Sequence, residues 1–420
     1  MTPPLSTDSY KGVRDFYPED WMRLAYLFER LRHELALWGY EEYNASPLER
    51  AELYEAKSSQ EIVNEQTYTL TDRGERRVTL RPEMTPTLAR MVAAKRRELA
   101  FPLRWFSIPN VFRYERPQRG RLREHYQLNV DLVGASAGAA DLEVIRLAAS
   151  LLTSLGASAE DFVIKINSRR LLNAACAAAH LEGDAAQHYL RALDRKDKMS
   201  AEDFAATVAT LGGDDPLRHI EEPTGAVAEA KEELFALIED LRAAGVTNAV
   251  FEPTITRGFD YYTGVIFEVY DTDPANARAL FGGGRYDELL ALFGGDPIPA
   301  IGFGMGDVGL RDFLETHGLV PHDIGLIPTV YIGTPDSTDI REAQRLADTL
   351  RKSHIRVFVN LSSRSLGDQI KDALKRSVPY FIAYGSEEVK TGSVKVKELA
   401  TSSETLVSVA ELPSALGSHA

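Results

Sequence analysis

The chain has 420 residues, 44% of them hydrophobic and 26% charged, an ordinary globular composition at a length that calls for two or three domains. No apolar run approaches the roughly 18 residues that cross a bilayer, the N-terminus MTPPLSTDSYKG is not a secretory signal, and a single cysteine, Cys176, excludes an intrachain disulfide and reads as a small core residue. These features point to a cytoplasmic protein with no membrane role. The net charge of −14 argues at first against nucleic acid, but its distribution softens the objection: twelve basic and eleven acidic residues lie from Pro328 onward, against 36 and 51 before it. Arg351, Lys352, Arg356, Arg364, Lys371, Lys375 and Arg376 cluster in that near-neutral tail and offer a local footing for RNA.

In chain order, Glu19 to Leu37 reads as a helix entered through Pro18, and strands and turns dominate from Tyr40 to Gly134. Within that stretch, Arg81-Pro82-Glu83-Met84-Thr85 follows a short apolar run and precedes a helix over Thr87 to Arg97. Next comes Phe112 to Gly134, FRYERPQRGRLREHYQLNVDLVG, read as two strand arms joined by a turn at Arg116 to Gly120. Parity puts Arg113 and Glu115 on one face of the first arm. In the second arm Arg123, His125, Gln127, Asn129 and Asp131 share a face, and Tyr126, Leu128, Val130 and Leu132 share the other. Arginines at the base with amides and acids deeper in can hold a polyphosphate beside a small cationic molecule.

Further on, Asp141 to Leu155 is amphipathic, and Ser168 to Gly245 is helical and alanine-rich, an insertion between sheet-forming segments that resume near Asn248. Thr256 to Gly264, TRGFDYYTG, leads into a strand over Val265 to Val269, and Gly282 to Asp287 reads as a tight loop that exposes its backbone. In Ile301 to Gly306, glycines at alternate positions strip one strand face, so that a flat ring can lie on the backbone. From about Gly325 strands and helices alternate, as in a small α/β domain with a mixed or parallel sheet.

The chain resembles the histidyl-tRNA synthetases, class II aminoacyl-tRNA ligases, over nearly its whole length. Gly39-Tyr40-Glu41 to Pro47-Leu48-Glu49 is similar to their first, dimer-forming motif, FRYERPQRGRLRE to the second, and GFGMG to the third. RPEMT and RGFDYYTG are similar to the segments that mark the histidine enzymes. The resemblance implies an α+β fold. Residues 1–325 would form an antiparallel-sheet catalytic domain with a helical insertion at about 168–246, and residues 326–420 an α/β anticodon-binding domain. It implies a homodimer that joins L-histidine to tRNA(His) through a histidyl-adenylate, with ATP as substrate, Mg²⁺ on the pyrophosphate oxygens and no zinc site.

Carried over position by position, the resemblance assigns catalysis to Arg113 and Arg257, which hold the α-phosphate and the histidine carboxylate. Glu83, Thr85 and Gln127 take the α-ammonium; Asp131 and Tyr262, with Tyr261 adjacent, take the imidazole. ATP falls to Arg113, Glu115, Arg121, Arg123, His125, Gly302, Gly304 and Gly306, and the tRNA acceptor end to Arg116 and Gln118. Two positions depart from the family. His125 replaces the phenylalanine that stacks on adenine, bringing less apolar area and a titratable charge. Gly309 stands where an arginine covers the adenine and reaches the γ-phosphate, with Arg311 two residues on. The departure implies weaker ATP binding or a substitute cation. Two other readings are a histidine-sensing regulatory subunit of ATP phosphoribosyltransferase and a class II ligase for another amino acid. The first typically lacks the C-terminal domain and an intact RGxDYYTG segment.

Overall fold

The computed structural model describes residues 5–55, 66–118, 120–196, 199–257, 261–320 and 328–417. Gly258, Phe259 and Asp260 of the RGFDYYTG segment, and the expected 325/326 boundary, lie outside them. The chain divides into two compact units, Met1–His322 and Asp323–Ala420.

The first unit is built on a nine-stranded sheet of described residues. Its spatial order is Glu41–Glu42, Leu103–Ser107, Glu124–Val133, Ala300–Gly306, Ala279–Arg285, Val265–Asp271, Phe162–Ser168 and Ala249–Phe251, with Asn110–Phe112 also paired to Glu124–Val133. Pairing is antiparallel except at the two edges. The expected alternation in the second hairpin arm is realised in the long strand Glu124–Val133, which is buried on both faces from Leu128 onward. The first arm is shorter than parity suggested, because its strand stops at Phe112 and Arg113 continues as irregular chain.

Helix Pro18–Leu37 opens with proline in its first turn, where the missing N–H costs nothing. It buries Leu24, Leu27, Phe28, Leu31 and Leu35 and lies against helix Ala139–Ser154. Between Ser168 and Gly245 the described residues form helices Arg169–Ala178, Gly183–Asp194, Ala201–Ala209, Pro216–Glu221 and Gly225–Ala243. Ser168 starts the first of these by accepting the Leu171 N–H. The apolar faces of these helices join the core under the sheet, and Cys176 is buried there, its thiol pushed up to about 11 by burial.

One expectation fails. Gly282, Gly283 and Gly284 are not a loop but the middle of strand Ala279–Arg285, paired on both sides. A Cβ at Gly283 would lie 2.0 Å from the Gly302 carbonyl oxygen, and one at Gly282 2.4 Å from that of Phe267. The glycines therefore let neighbouring backbones close up, which is the other use of such residues in strands.

In the second unit the strands Val357–Val359, Val330–Gly333 and Tyr380–Ala383 run parallel, and Ser393–Glu398 and Glu404–Ser408 extend the sheet antiparallel. The sheet is mixed, with Ile340–Lys352 and Leu366–Lys375 among its helices.

Candidate active site

The floor of the site is the pairing of Ala300–Gly306 with the long strand, which sets Gly302 opposite Asp131, Gly304 opposite Asn129 and Gly306 opposite Gln127. A Cβ at Gly302 would stand 2.2 Å from Asp131 Oδ1, one at Gly304 3.0 Å from Gln127 Cδ, and one at Gly306 3.5 Å from His125 Cδ2. The three bare positions thus border the row His125, Gln127, Asp131.

At the deep end Asp131 is buried. Its Oδ1 accepts a hydrogen bond from the Tyr286 hydroxyl, and its Oδ2 has no partner. Burial lifts the carboxyl to about 7, against the pull of the Tyr286 bond. Beside it Glu83, also buried, accepts from the Tyr261 hydroxyl at 3.0 Å. Burial and the Glu83 charge hold the Tyr261 phenol well above its ordinary range. The rings of Tyr261 and Tyr262 lie 4.9 Å apart, and the Tyr261 ring meets that of Tyr286 at 5.9 Å. Tyr286 was not among the expected residues. Reading the glycine triplet as a loop hid it, since only a strand there delivers the next residues to the Asp131 side.

Buried Arg81 braces the RPEMT segment by donating from Nε to the Asn110 carbonyl at 2.9 Å and from Nη1 to the Ala45 carbonyl at 2.7 Å. Thr85 opens helix Thr85–Lys95, two residues earlier than expected. Arg113 ties this segment to the hairpin, its Nε donating to the Pro82 carbonyl at 2.8 Å.

Across the sheet Arg257 sits at φ +58°, a left-handed conformation that L-residues rarely adopt. Its Nη1 donates to Glu268 Oε1 at 2.9 Å and its Nη2 to the Gly282 carbonyl at 3.2 Å, while Nε is buried without a partner. A Cβ at Gly282 would crowd Nη1 at 2.8 Å, so that glycine also clears space for the guanidinium. Burial alone would lower the Arg257 pKa, but its interactions with Tyr262 and with the Glu268 carboxylate outweigh it and the net shift is upward.

At the outer end His125 is held down to about 3, by burial first and then by the positive charges of Arg113, Arg14 and Arg121. Its ring is neutral at physiological pH, so the titratable charge expected from the sequence does not arise there. Arg121 pairs with Glu115 at 3.2 Å near the surface. Arg123 lies over the Tyr114 ring at 3.9 Å and donates to the Glu115 carbonyl and the Tyr10 hydroxyl. Arg116 and Gln118 are exposed, and Gln118 Oε1 accepts from Arg278. Gly309 is the third residue of helix Asp307–Thr316. Arg311 is exposed and turned to Asp312 and Glu315, at 3.2 and 3.6 Å. Asp307 accepts from Arg14 Nη2 at 2.7 Å and from the Tyr126 N–H at 2.9 Å, and neither Arg14 nor Asp307 carried a local signal in the sequence. Among the described residues no group of three or more His, Cys, Asp or Glu side chains is arranged to hold a metal ion.

The antiparallel sheet with its site on the glycine strands has the α+β fold of the class II aminoacyl-tRNA ligases. A crystal structure of histidyl-tRNA synthetase from Nostoc sp. PCC 7120 superposes with a TM-score of 0.77, covering 98% of this chain and 99% of that one at 21% identity. A Bacillus halodurans structure, described as an ATP phosphoribosyltransferase regulatory subunit/histidyl-tRNA synthetase, gives 0.71 at 27% identity, over 91% and 99% of the two chains. The histidine–tRNA ligase of Leptospira biflexa is 41% identical across 97% of this chain and 96% of its own. A histidyl-tRNA synthetase family model matches residues 12–307, and an anticodon binding domain model residues 329–419. The chain belongs to the histidyl-tRNA synthetase family.

Proposed function

We propose that the protein is a histidine–tRNA ligase: it activates L-histidine with ATP and transfers it to the terminal ribose of tRNA(His). The histidine carboxylate attacks the α-phosphorus and pyrophosphate leaves; the ribose hydroxyl then attacks the adenylate carbonyl and AMP leaves. The observation that carries this reading is the pair of buried tyrosine–carboxylate contacts, Tyr286 on Asp131 and Tyr261 on Glu83, beside the bare glycine strand. An imidazole N–H finds an acceptor in the unpartnered Asp131 Oδ2, with Tyr262 beside it, and an ammonium finds one in Glu83, assisted by Thr85 and Gln127. A site built on buried polar groups rejects amino acids that cannot satisfy them.

Arg113 takes the α-phosphate. Arg257, aimed by Glu268 and Gly282, bridges the carboxylate and the α-phosphate and stabilises charge where it develops. Glu115, Arg121 and Arg123 address the rest of an ATP that carries Mg²⁺ on its pyrophosphate oxygens. The adenine lies on Gly302, Gly304 and Gly306 under the neutral His125 ring. Arg116 and Gln118, exposed on the hairpin, meet the tRNA acceptor end, and residues 326–420 bind the anticodon. We place the enzyme in the cytoplasm, as a homodimer joined through Gly39 to Glu49, where Leu48 and the edge strand Glu41–Glu42 are exposed. Light scattering that found a fully active monomer would remove the dimer.

A regulatory subunit fits less well, because this chain carries the match to an anticodon domain at residues 329–419. ATP–pyrophosphate exchange run with each amino acid in turn tests the reading: exchange should depend on histidine alone. Exchange with a different amino acid, or with none, would reject it.

A further inference from the structure

We propose that Arg14 is a further cation that meets the ATP polyphosphate, supplying from the N-terminal segment the charge that Gly309 cannot. The inference rests on the adenylation reading above and assigns a further substrate-binding residue within it. Helix Asp307–Thr316 presents glycine at 309, and its Arg311 is engaged on the outer face by Asp312 and Glu315. An anion as dense as a triphosphate needs compensating cations, and another element has to bring one.

The segment from Tyr10 to Phe16 does so. It is locked across the base of the long strand: the Gly12 carbonyl accepts the Arg123 N–H at 2.8 Å and the Glu124 N–H at 3.4 Å, while Tyr10 binds the Arg123 guanidinium. Gly12 sits at φ +87°, and a Cβ there would lie 2.8 Å from the Arg123 side chain, so only glycine permits so close an approach. Two residues later Arg14 reaches the start of the helix and donates to Asp307 Oδ2 at 2.7 Å. Its guanidinium lies over the Phe16 ring at 4.8 Å, and Phe16 is itself fixed edge-on to Trp21 and Tyr126.

Arg14 is therefore held before any ligand arrives. It also has hydrogen-bonding capacity left, because its Nε is buried with no partner. A buried donor without an acceptor is costly and uncommon in a native fold. Asp307 does not relieve it in this arrangement, its oxygens accepting from Arg14 Nη2 and from the Tyr126 N–H. This donor stands at the nucleotide end of the cleft: Asp307, which holds Arg14, follows Gly306, whose bare position faces the His125 ring at 3.5 Å, and Asp307 also accepts the N–H of Tyr126, the residue after His125. The ring proposed to cover the adenine thus stands next to the start of the altered helix, where Arg14 is bound. A purely structural Arg14, pinning the segment to the helix, would account for the Asp307 bond but leaves the orphaned Nε unexplained.

The test compares ATP with AMP. Equilibrium dialysis of both nucleotides on wild type, Arg14→Met and Arg14→Lys should show ATP affinity falling about 10- to 100-fold in Arg14→Met, as for loss of a hydrogen bond to a charged group. AMP affinity should hold, and Arg14→Lys should recover part of the loss. In histidine-dependent exchange the KM for ATP should rise with little change in kcat or in the KM for histidine. Adding Gly309→Arg to Arg14→Met should restore ATP affinity, since a Cβ at 309 has its nearest neighbour at 3.4 Å and can be accommodated. Equal weakening of ATP and AMP, or unchanged ATP affinity, would overturn the proposal. If wild type shows no histidine-dependent exchange, the adenylation reading fails separately, and the ATP–AMP comparison still decides the part played by Arg14.

Discussion

Replacing Asp131 by asparagine should spare the empty protein a loss of stability that wild type suffers between pH 5 and pH 8, while it abolishes histidine recognition. The carboxyl is lifted from an ordinary 3.8 to about 7 by burial. The folded chain therefore keeps this proton up to about pH 7, whereas the unfolded chain releases it near 4. Between those values the folded state binds more protons, so stability falls as pH rises through the window and levels off above it. Each pH unit inside the window costs about 1.4 kcal/mol, or roughly 3 kcal/mol between pH 5 and pH 7. Asparagine has no proton to lose and escapes that cost. Scanning calorimetry of ligand-free wild type and Asp131→Asn at pH 5 and pH 8 should show the variant's relative melting temperature rising by about 4 °C between the two conditions, for a unit of roughly 300 residues. Other titrating groups cancel in the comparison. A variant displaced from wild type by the same amount at both pH values would refute the argument and leave Asp131 an ionised, well-solvated carboxylate.

Other expectations follow from the same geometry. Arg257→Ala should lower the adenylation rate on the order of 10²–10³-fold with a much smaller change in histidine affinity; equal losses in both would make Arg257 a ground-state contact. Gly283→Ala should destabilise the first unit by more than about 3 kcal/mol, or prevent its folding, because the new methyl carbon would lie 2.0 Å from the Gly302 carbonyl oxygen. Gly309→Ala, with 3.4 Å of clearance, should melt within a few degrees of wild type in the same scan. Asp141→Ala removes one of two carboxylates on the buried Arg285 guanidinium, which holds Asp141 through Nε at 2.9 Å and Asp287 through Nη1 at 3.0 Å, and should cost about 1–3 kcal/mol in denaturant titrations. Ending the chain before Pro328 should spare much of the histidine-dependent exchange and cripple aminoacylation at moderate salt; unimpaired charging of tRNA would contradict the anticodon assignment.

How much could be read from the sequence depended on whether a residue's partner lay within its own element. The alternation of Glu124–Val133 and the bare face of Ala300–Gly306 are local patterns of period two, and both appear where the spacing put them. The Arg311 orientation was likewise available from helical geometry, since two residues turn a helix by about 200°. The glycine triplet misled because three glycines have no side-chain pattern, and punctuation is their commonest meaning. Only strands pairing on both sides make it a close-packed strand, and those partners lie elsewhere in the chain. Tyr286 was lost with that error. His125 was read as a possible charge because its suppression comes first from burial in the fold and then from three arginines, one of them Arg14, more than a hundred residues earlier.

The bond from Arg14 to Asp307 spans 293 positions, and that separation gives the site an order of assembly in time. At 5–20 residues per second a ribosome needs about 15–60 s to travel from one to the other. The contacts of Asp131 with Tyr286 and of Glu83 with Tyr261 span 155 and 178 positions, and all of these residues precede Asp307. Those residues are all synthesised while Arg14 still waits for its carboxylate, but Ala300–Gly306, which lies between the strand of Asp131 and the strand that leads to Tyr286, must emerge before the contact of those two residues can form. The nucleotide end closes last, when the strand Ala300–Gly306 and the first turn of the following helix have emerged.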